Sequence, residues 1–249
     1  MSIDSPYIPI SGKSQPKLQN STLILPTISI GNLPQLTIDL LIHNYNFIKI
    51  GYLNDLYLYP FASPIDYVKN PIEGISHAIE VYYCEELNIT LIQQRSPIIP
   101  SYSSSFLKEV IIPFITESDF LKIIILNSND SGIVENIQNG DIIIYDNQDL
   151  LSNFKNLTIS KSIEEQDKNS IFITKLLKLL EDLENVNVKV LVSYIYEGDN
   201  FQDAEKMINK LIKNLDIEIN NKNWVKPVSW LGAYGDKEVP NSMEEGIFG

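Results

Sequence analysis

Residues 22–41, TLILPTISIGNLPQLTIDLL, contain the pattern of a strand, a turn and a helix in that order. The run 23–26 is continuously apolar, which is typical of a strand buried on both faces of a sheet. Gly31 marks the turn, Asn32 is placed to cap the helix, and Pro34 falls in the first turn, where its missing N–H is harmless. Leucines then recur at helical spacing, at Leu33, Leu36, Leu40 and Leu41. This order predicts the beginning of an α/β fold.

The same alternation of strand and helix patterns continues to residue 215. Further apolar, β-branched runs predict strands at 48–53, 78–83, 89–93, 121–126, 141–145 and 188–194. Apolar residues at helical spacing predict helices around 107–114, 173–183 and 204–215. Because crossovers between parallel strands must cover the sheet, we predict a mostly parallel sheet flanked by helices on both faces, a three-layer α/β/α arrangement.

Both ends of the chain differ in composition from this single domain, which we place at residues 22–231. Residues 1–21 are polar and rich in proline and serine, so we expect a flexible, disordered arm. Residues 232–249 are expected to form a flexible C-terminal tail. Trp224 and Trp230 stand just before the tail, and they either anchor it to the core or form a hot spot for a partner.

Composition excludes several classes of partner. The formal net charge of −13 argues against nucleic acid, whose phosphates are bound by Lys and Arg. The sequence has no run of eighteen apolar residues, so we predict no membrane span. Cys84 is the only cysteine, and a chain without disulfides fits the cytoplasm, with the nucleus as a second expected location.

We predict no cofactor and no metal site. The only histidines, His43 and His77, form no ligand cluster with Cys84 or with the acids near them. The turn at Gly31 has one glycine where a dinucleotide-binding fingerprint needs three.

The acidic turn Glu197-Gly198-Asp199-Asn200 stands where the last strand leads into the last helix. Open α/β sheets place ligands at this edge, so Glu197 or Asp199 could serve as an acid or base of an enzyme. In the structural interpretation, Gly198 turns the chain while Asp199 or Asn200 caps the helix. We favour the structural interpretation.

The sequence ends in Glu244-Glu245-Gly246-Ile247-Phe248-Gly249. An apolar residue, an aromatic residue and a terminal carboxylate suit capture of a chain end in a pocket, although such an ending also arises by chance. We take Ile247, Phe248 and Gly249 as candidate partner-binding residues.

Several short motifs, taken in order, resemble the proteasome assembly chaperone family. The similarity spans residues 22–230. Its motifs are Thr22-Leu23-Ile24-Leu25-Pro26, Gly31-Asn32, Gln35-Leu36, Asp39-Leu40, Lys49-Ile50-Gly51-Tyr52, Gln94-Arg95-Ser96, residues 106–128, Glu197-Gly198-Asp199-Asn200, and Trp224, Pro227, Ser229 and Trp230.

The resemblance implies a noncatalytic α/β protein that pairs with proteasome assembly chaperone 1. It also implies that this heterodimer binds the outer face of the ring of proteasome α-subunits and assists its assembly. Members of the family dock a C-terminal hydrophobic-tyrosine-any residue ending between neighbouring α-subunits. Ile247, Phe248 and Gly249 occupy those places, with Phe248 replacing the tyrosine. The alternative is an α/β hydrolase- or phosphorylase-like enzyme that uses the acids of the 197–200 turn.

Overall fold

The computed structural model describes residues 5–12, 14–133, 137–146, 168–183, 186–217 and 223–231. Its strands are β1 Tyr7–Pro9, β2 Thr22–Pro26, β3 Ile48–Leu53, β4 Ala62–Pro64, β5 Ile75–His77, β6 Ile79–Cys84, β7 Ile89–Gln94, β8 Lys122–Asp130, β9 Ile142–Asp146 and β10 Asn187–Ile195. Its helices are α1 Leu33–Asn44, α2 Ser103–Phe106, α3 Ile112–Ser118, α4 Lys168–Glu181 and α5 Phe201–Asn214. A π-helical turn, Leu107–Ile111, joins α2 to α3. The tail residues 232–249 and most of the 146–169 connection lie outside the described part.

Eight of these strands form one mixed sheet in the order β1-β3-β6-β7-β2-β8-β10-β9. The four central strands, β7, β2, β8 and β10, are parallel to one another, whereas the outer pairs are antiparallel. The predicted parallel sheet is therefore confirmed at its centre. β6 and β7 are antiparallel because a short hairpin turn joins them, and such a turn cannot make a parallel crossover.

Two apolar cores cover the two faces of the sheet, which confirms the predicted three-layer arrangement. Within β2, Leu23 and Leu25 point to one core and Ile24 points to the other, as expected of a strand buried on both faces. The first core contains buried residues of α2, the π-helical turn, α3 and α4: Phe106, Leu107, Val110, Ile111, Phe114, Ile115, Ile173, Leu176, Leu177 and Leu180. The second contains those of α1 and α5: Leu33, Ile38, Leu40, Leu41, Ala204, Met207, Ile208, Leu211 and Ile212.

The N-terminal segment contains a strand that its polar composition did not predict. β1 pairs antiparallel with β3, and the Tyr7 hydroxyl donates a hydrogen bond to the Ile50 carbonyl at 3.1 Å. The Tyr7 ring lies so close to Gly51 that a Cβ there would collide with it. Burial raises the pKa of Tyr7 to about 12. Residues 5–12 are ordered by these tertiary contacts, which composition does not record.

Trp230 anchors the last described segment to the core. Its side chain is buried and stacks on Phe201 at the start of α5, with ring centroids 4.4 Å apart. The Trp224 indole N–H donates to the Asn209 side chain at 3.2 Å. In the described part of the chain, no helix is long and apolar enough to cross a membrane.

Candidate partner-binding surface

Two adjoining hollows open at the carboxyl edge of the central strands. One has a volume of about 760 Å³ and the other about 790 Å³, and both are lined by Ile28, Gln94 and Pro97. The loops that follow β2, β3 and β7 form their walls. We call the two hollows together the edge groove.

One half of the edge groove is largely apolar. Tyr59 and Ile171 line it with side chains that are 46% and 38% exposed. Ile98, Ile99 and Phe172 complete most of its apolar wall. Exposed apolar side chains that meet in one concave surface mark an interaction site more often than scattered ones do.

The other half also exposes mainly apolar surface, but α1 and the loop after β7 place polar and charged groups in its wall, and we call it the polar half. Arg95 donates from Nη2 to Asp39 Oδ1 at 3.0 Å. Burial alone would lower the pKa of Arg95, but the charge and the hydrogen bond of Asp39, together with Tyr82 and Glu80, outweigh burial and hold the pKa above its ordinary value. Gln35 donates to the Thr27 carbonyl at 3.1 Å, and its buried Oε1 has no hydrogen-bond partner among the described residues.

A cluster of hydroxyl groups holds the loop that lies between the two halves. Ser29 Oγ accepts the Ser128 backbone N–H at 3.1 Å, and the Ser128 hydroxyl donates to the Ile30 carbonyl at 2.6 Å. The Thr27 hydroxyl lies 2.8 Å from Asn127 Oδ1. These bonds tie the loop after β2 to β8, so this wall of the edge groove is fixed.

The structure brings two of the predicted turn residues into contact. Gly31 has a φ of +65°, and a Cβ at this position would overlap the Asn200 side chain. Asn200 is buried; its Oδ1 accepts the Gly198 N–H at 3.1 Å and its Nδ2 donates to the Tyr196 carbonyl at 2.9 Å. The turns after β2 and β10 therefore pack against each other.

The predicted capping roles differ in detail from the structure. Asn32 and Asn200 occupy the N-cap positions of α1 and α5, but neither side chain bonds to a backbone N–H of its helix. Asn32 adopts a left-handed conformation with a φ of +47°, and Asn200 uses its carboxamide to hold the preceding turn. Asp199 supplies the local bond instead, because its Oδ1 accepts the Phe201 N–H at 3.2 Å.

The enzymatic interpretation gains no support from this turn. Glu197, Gly198 and Asp199 are all exposed. His43 lies near Asp39 and Asp66, and burial lowers its pKa below the ordinary value. Within the described ranges, no three His, Cys, Asp or Glu side chains gather in a way that could hold a metal ion.

We therefore expect Asp199→Asn to leave stability almost unchanged, because asparagine also accepts a hydrogen bond at a helix start. Asp199→Ala should lower the free energy of unfolding by about 1 kcal/mol, because the Phe201 N–H loses its acceptor. Urea denaturation of the three proteins measures both effects. Equal losses for both substitutions would contradict a hydrogen-bonding role for Asp199.

Sequence reasoning missed the edge groove and its polar half. In the sequence, Gln94-Arg95-Ser96 served only as a motif of the family resemblance. Asp39 and Arg95 are far apart in the chain, so no local pattern predicted their ion pair. A signal was present in Ser96-Pro97-Ile98-Ile99-Pro100, an apolar stretch with two prolines directly after a buried strand. The candidate docking residues Ile247, Phe248 and Gly249 lie outside the described residues.

Fold and surface together define a three-layer α/β domain with an open, largely apolar groove at the carboxyl edge of its sheet. The PAC2 family model matches residues 23–223, and the chain belongs to the PAC2 family. It is 30% identical to proteasome assembly chaperone 2 of Saccharomyces cerevisiae, over 86% of this chain and 95% of the yeast protein. It is 26% identical to the human protein of the same name, over 92% of this chain and 97% of that one.

Solved structures confirm the fold. PbaA of Pyrococcus furiosus, described as an archaeal homologue of proteasome-assembly chaperone, matches with a TM-score of 0.58 and 14% identity over 87% of this chain and 89% of its own. PbaB of the same organism, described as an archaeal proteasome activator, matches with a TM-score of 0.56 and 17% identity over 87% of this chain and 91% of its own. At this identity, the similarity concerns architecture alone.

Proposed function

We propose that this chain is a noncatalytic chaperone of proteasome core-particle assembly. In this proposal it forms a heterodimer with proteasome assembly chaperone 1, and the pair binds the outer face of the α-subunit ring in the cytoplasm, and also in the nucleus. One observation carries the proposal: relatives from yeast to human named proteasome assembly chaperone 2 align with nearly the whole chain.

The proposal gives the C-terminal residues the task of docking between neighbouring α-subunits. Ile247 and Phe248 would fill an apolar pocket, and the carboxylate of Gly249 would meet a positive group. The eighteen residues after Leu231 could extend on the order of 60 Å at about 3.3 Å per residue, which is ample reach from the body. Trp230 supports this arrangement because it fixes the point from which those residues start.

Removal of residues 247–249 is expected to weaken binding to the α-ring while leaving folding and heterodimer formation intact. A tail that orders on binding gives weak affinity by itself, but it acts together with the body and the partner chain. The measurement is recovery of α-subunits and of the second chaperone with tagged full-length and shortened chains, each purified from the cells of origin. The second chaperone should appear with both chains, and α-subunits chiefly with the full-length chain.

Phe248→Tyr is the matched variant, and we expect it to increase binding to the α-ring. It restores the hydroxyl of the family ending, and a hydrogen bond made by that hydroxyl would add about 0.5–1.5 kcal/mol, or about 2- to 12-fold in affinity. Equal α-subunit recovery with full-length and shortened chains would contradict the docking role of the tail. Absence of both α-subunits and the second chaperone from every purification would contradict the proposed function itself.

A further inference from the structure

The polar half of the edge groove has an uncompensated negative charge. The guanidinium of Arg95 is neutralised by Asp39. Asp66 lines the same half, and its carboxylate accepts hydrogen bonds only from uncharged donors among the described residues: the backbone N–H groups of Tyr67 and Ser229 and the Ser229 hydroxyl. A ligand with a positive group would balance the charge of Asp66.

Gln35 provides an independent indication of the same ligand chemistry. It is 7% exposed and lines this half of the groove. Its Oε1 accepts no hydrogen bond from any described residue. A buried acceptor without a donor is unfavourable, so a ligand group that donates a hydrogen bond suits Gln35. Arg95 Nε is a buried donor without a partner among the described residues, and it suits an acceptor such as a peptide carbonyl.

The two halves lie side by side, which suits an extended ligand. Ile28, Gln94 and Pro97 line both hollows, so the apolar half and the polar half adjoin across these three residues. An extended peptide advances about 3.3 Å per residue and can place side chains in two neighbouring hollows. The net charge of −13 also favours a basic segment over an acidic one.

We propose that the edge groove binds an extended segment of a partner protein that carries an apolar side chain and, a few residues away, a lysine or arginine. The apolar side chain occupies the half lined by Tyr59 and Ile171. The cationic side chain lies against Asp66 and donates toward Gln35. The proposed function assigns no occupant to this groove, and the inference rests on it only in taking the occupant to be a protein.

The test is selection of a random heptapeptide library displayed on phage against the immobilised full-length chain. Selected peptides are then synthesised with blocked ends, and their binding is measured by fluorescence anisotropy. We expect enriched peptides to combine an apolar residue with Lys or Arg. Tyr59→Glu should weaken their binding at least tenfold, and Asp66→Asn should reduce the preference for Lys or Arg over Gln at that position at least fivefold.

Leu121→Glu is the matched control, because Leu121 is 58% exposed and precedes β8 at the opposite edge of the sheet. This variant should bind the peptides as the unchanged chain does. Thermal denaturation of all variants separates a loss of binding from a loss of folding, which matters because Asp66 also holds Ser229. Ile171→Asp, on the surface of α4, provides a second test of the apolar half that does not involve Asp66.

Three results would overturn the proposal. The first is enrichment of peptides whose binding is unaffected by Tyr59→Glu and Ile171→Asp. The second is the absence of any groove-dependent peptide, or a preference for acidic ones. The third is strong peptide binding only when the full chain carries Ile247→Ser and Phe248→Ser, because the groove would then be occupied by the C-terminal residues of this chain. Recovery of α-subunits from cells alongside any of these results would leave the proposed function standing and refute only the groove assignment.

Discussion

Gly31→Ala is expected to lower the free energy of unfolding by about 2–4 kcal/mol. A left-handed φ costs an L-residue with a side chain about 1–2 kcal/mol, and the displaced Asn200 loses hydrogen bonds worth about 1 kcal/mol each. The new methyl group has no free space, because it would overlap the Asn200 carboxamide. Asn200 would have to leave its contacts with Gly198 and Tyr196, and the two turns at the carboxyl edge would separate.

Alanine substitutions at two other glycines separate the steric effect of the added methyl group from the cost of a left-handed backbone. Gly12 has a φ of +78°, but an added Cβ there meets nothing within 4 Å, so Gly12→Ala should show only the backbone cost. At Gly198 the added Cβ also meets nothing within 4 Å, and φ lies outside the left-handed region. Gly198→Ala should change stability by less than about 1 kcal/mol, in either direction. Urea denaturation of the three variants gives the comparison, and equal losses at Gly31 and Gly12 would contradict the contact with Asn200.

Glu80→Ala is expected to destabilise the protein by about 3–5 kcal/mol, the cost typical of removing one partner from a buried ion pair. The Glu80 side chain is completely buried, and its Oε1 lies 2.9 Å from Nζ of Lys49, whose side chain is 17% exposed. Its carboxylate also accepts the Tyr82 hydroxyl at 2.8 Å and the His77 N–H at 3.1 Å. Without Glu80, the largely buried Lys49 ammonium keeps only the Ile75 carbonyl as an acceptor, at 3.3 Å, and the Tyr82 and His77 donors lose theirs.

A double-mutant cycle checks whether the loss comes from the charge left behind. Lys49→Met combined with Glu80→Ala should be less destabilising than the sum of the two single substitutions, because the second change removes the unpaired ammonium. Glu205→Ala is the control: its pair with Lys226 is 33% and 40% exposed, and such pairs contribute about 0–1 kcal/mol. Additive effects at Lys49 and Glu80, measured by urea denaturation, would contradict the buried pair.

The central architecture could be predicted because the buried parallel strands carry their pattern locally. Residues 23–26 and 123–126 are apolar on both faces, and the structure places them side by side with Ile24 opposite Ile124. The helix over 201–214 combines a strongly amphipathic pattern with Asp203 in its first turn and Lys213 in its last. Both patterns lie within short stretches of sequence, so they can be recognised without knowledge of the fold.

The rest depended on contacts between distant residues. β1 has three residues and an unremarkable sequence, and it is a strand because Tyr7 packs over Gly51. Gly31 and Asn200 were each predicted as turn residues, but their contact requires β2, β8 and β10 to be neighbours in the sheet. The edge groove likewise needs the loops after β2, β3 and β7 to end at one edge, which local patterns do not specify.

In the proposed function, this chain assists assembly of the proteasome core particle. The most direct test is depletion of the chain from the cells of origin, followed by native separation of the extract and quantification of α-subunits in complete and incomplete particles. We expect the share of α-subunits in complete particles to fall, incomplete α-containing species to accumulate, and reintroduction of the chain to reverse both. The same distribution of α-subunits with and without the chain would contradict the claim.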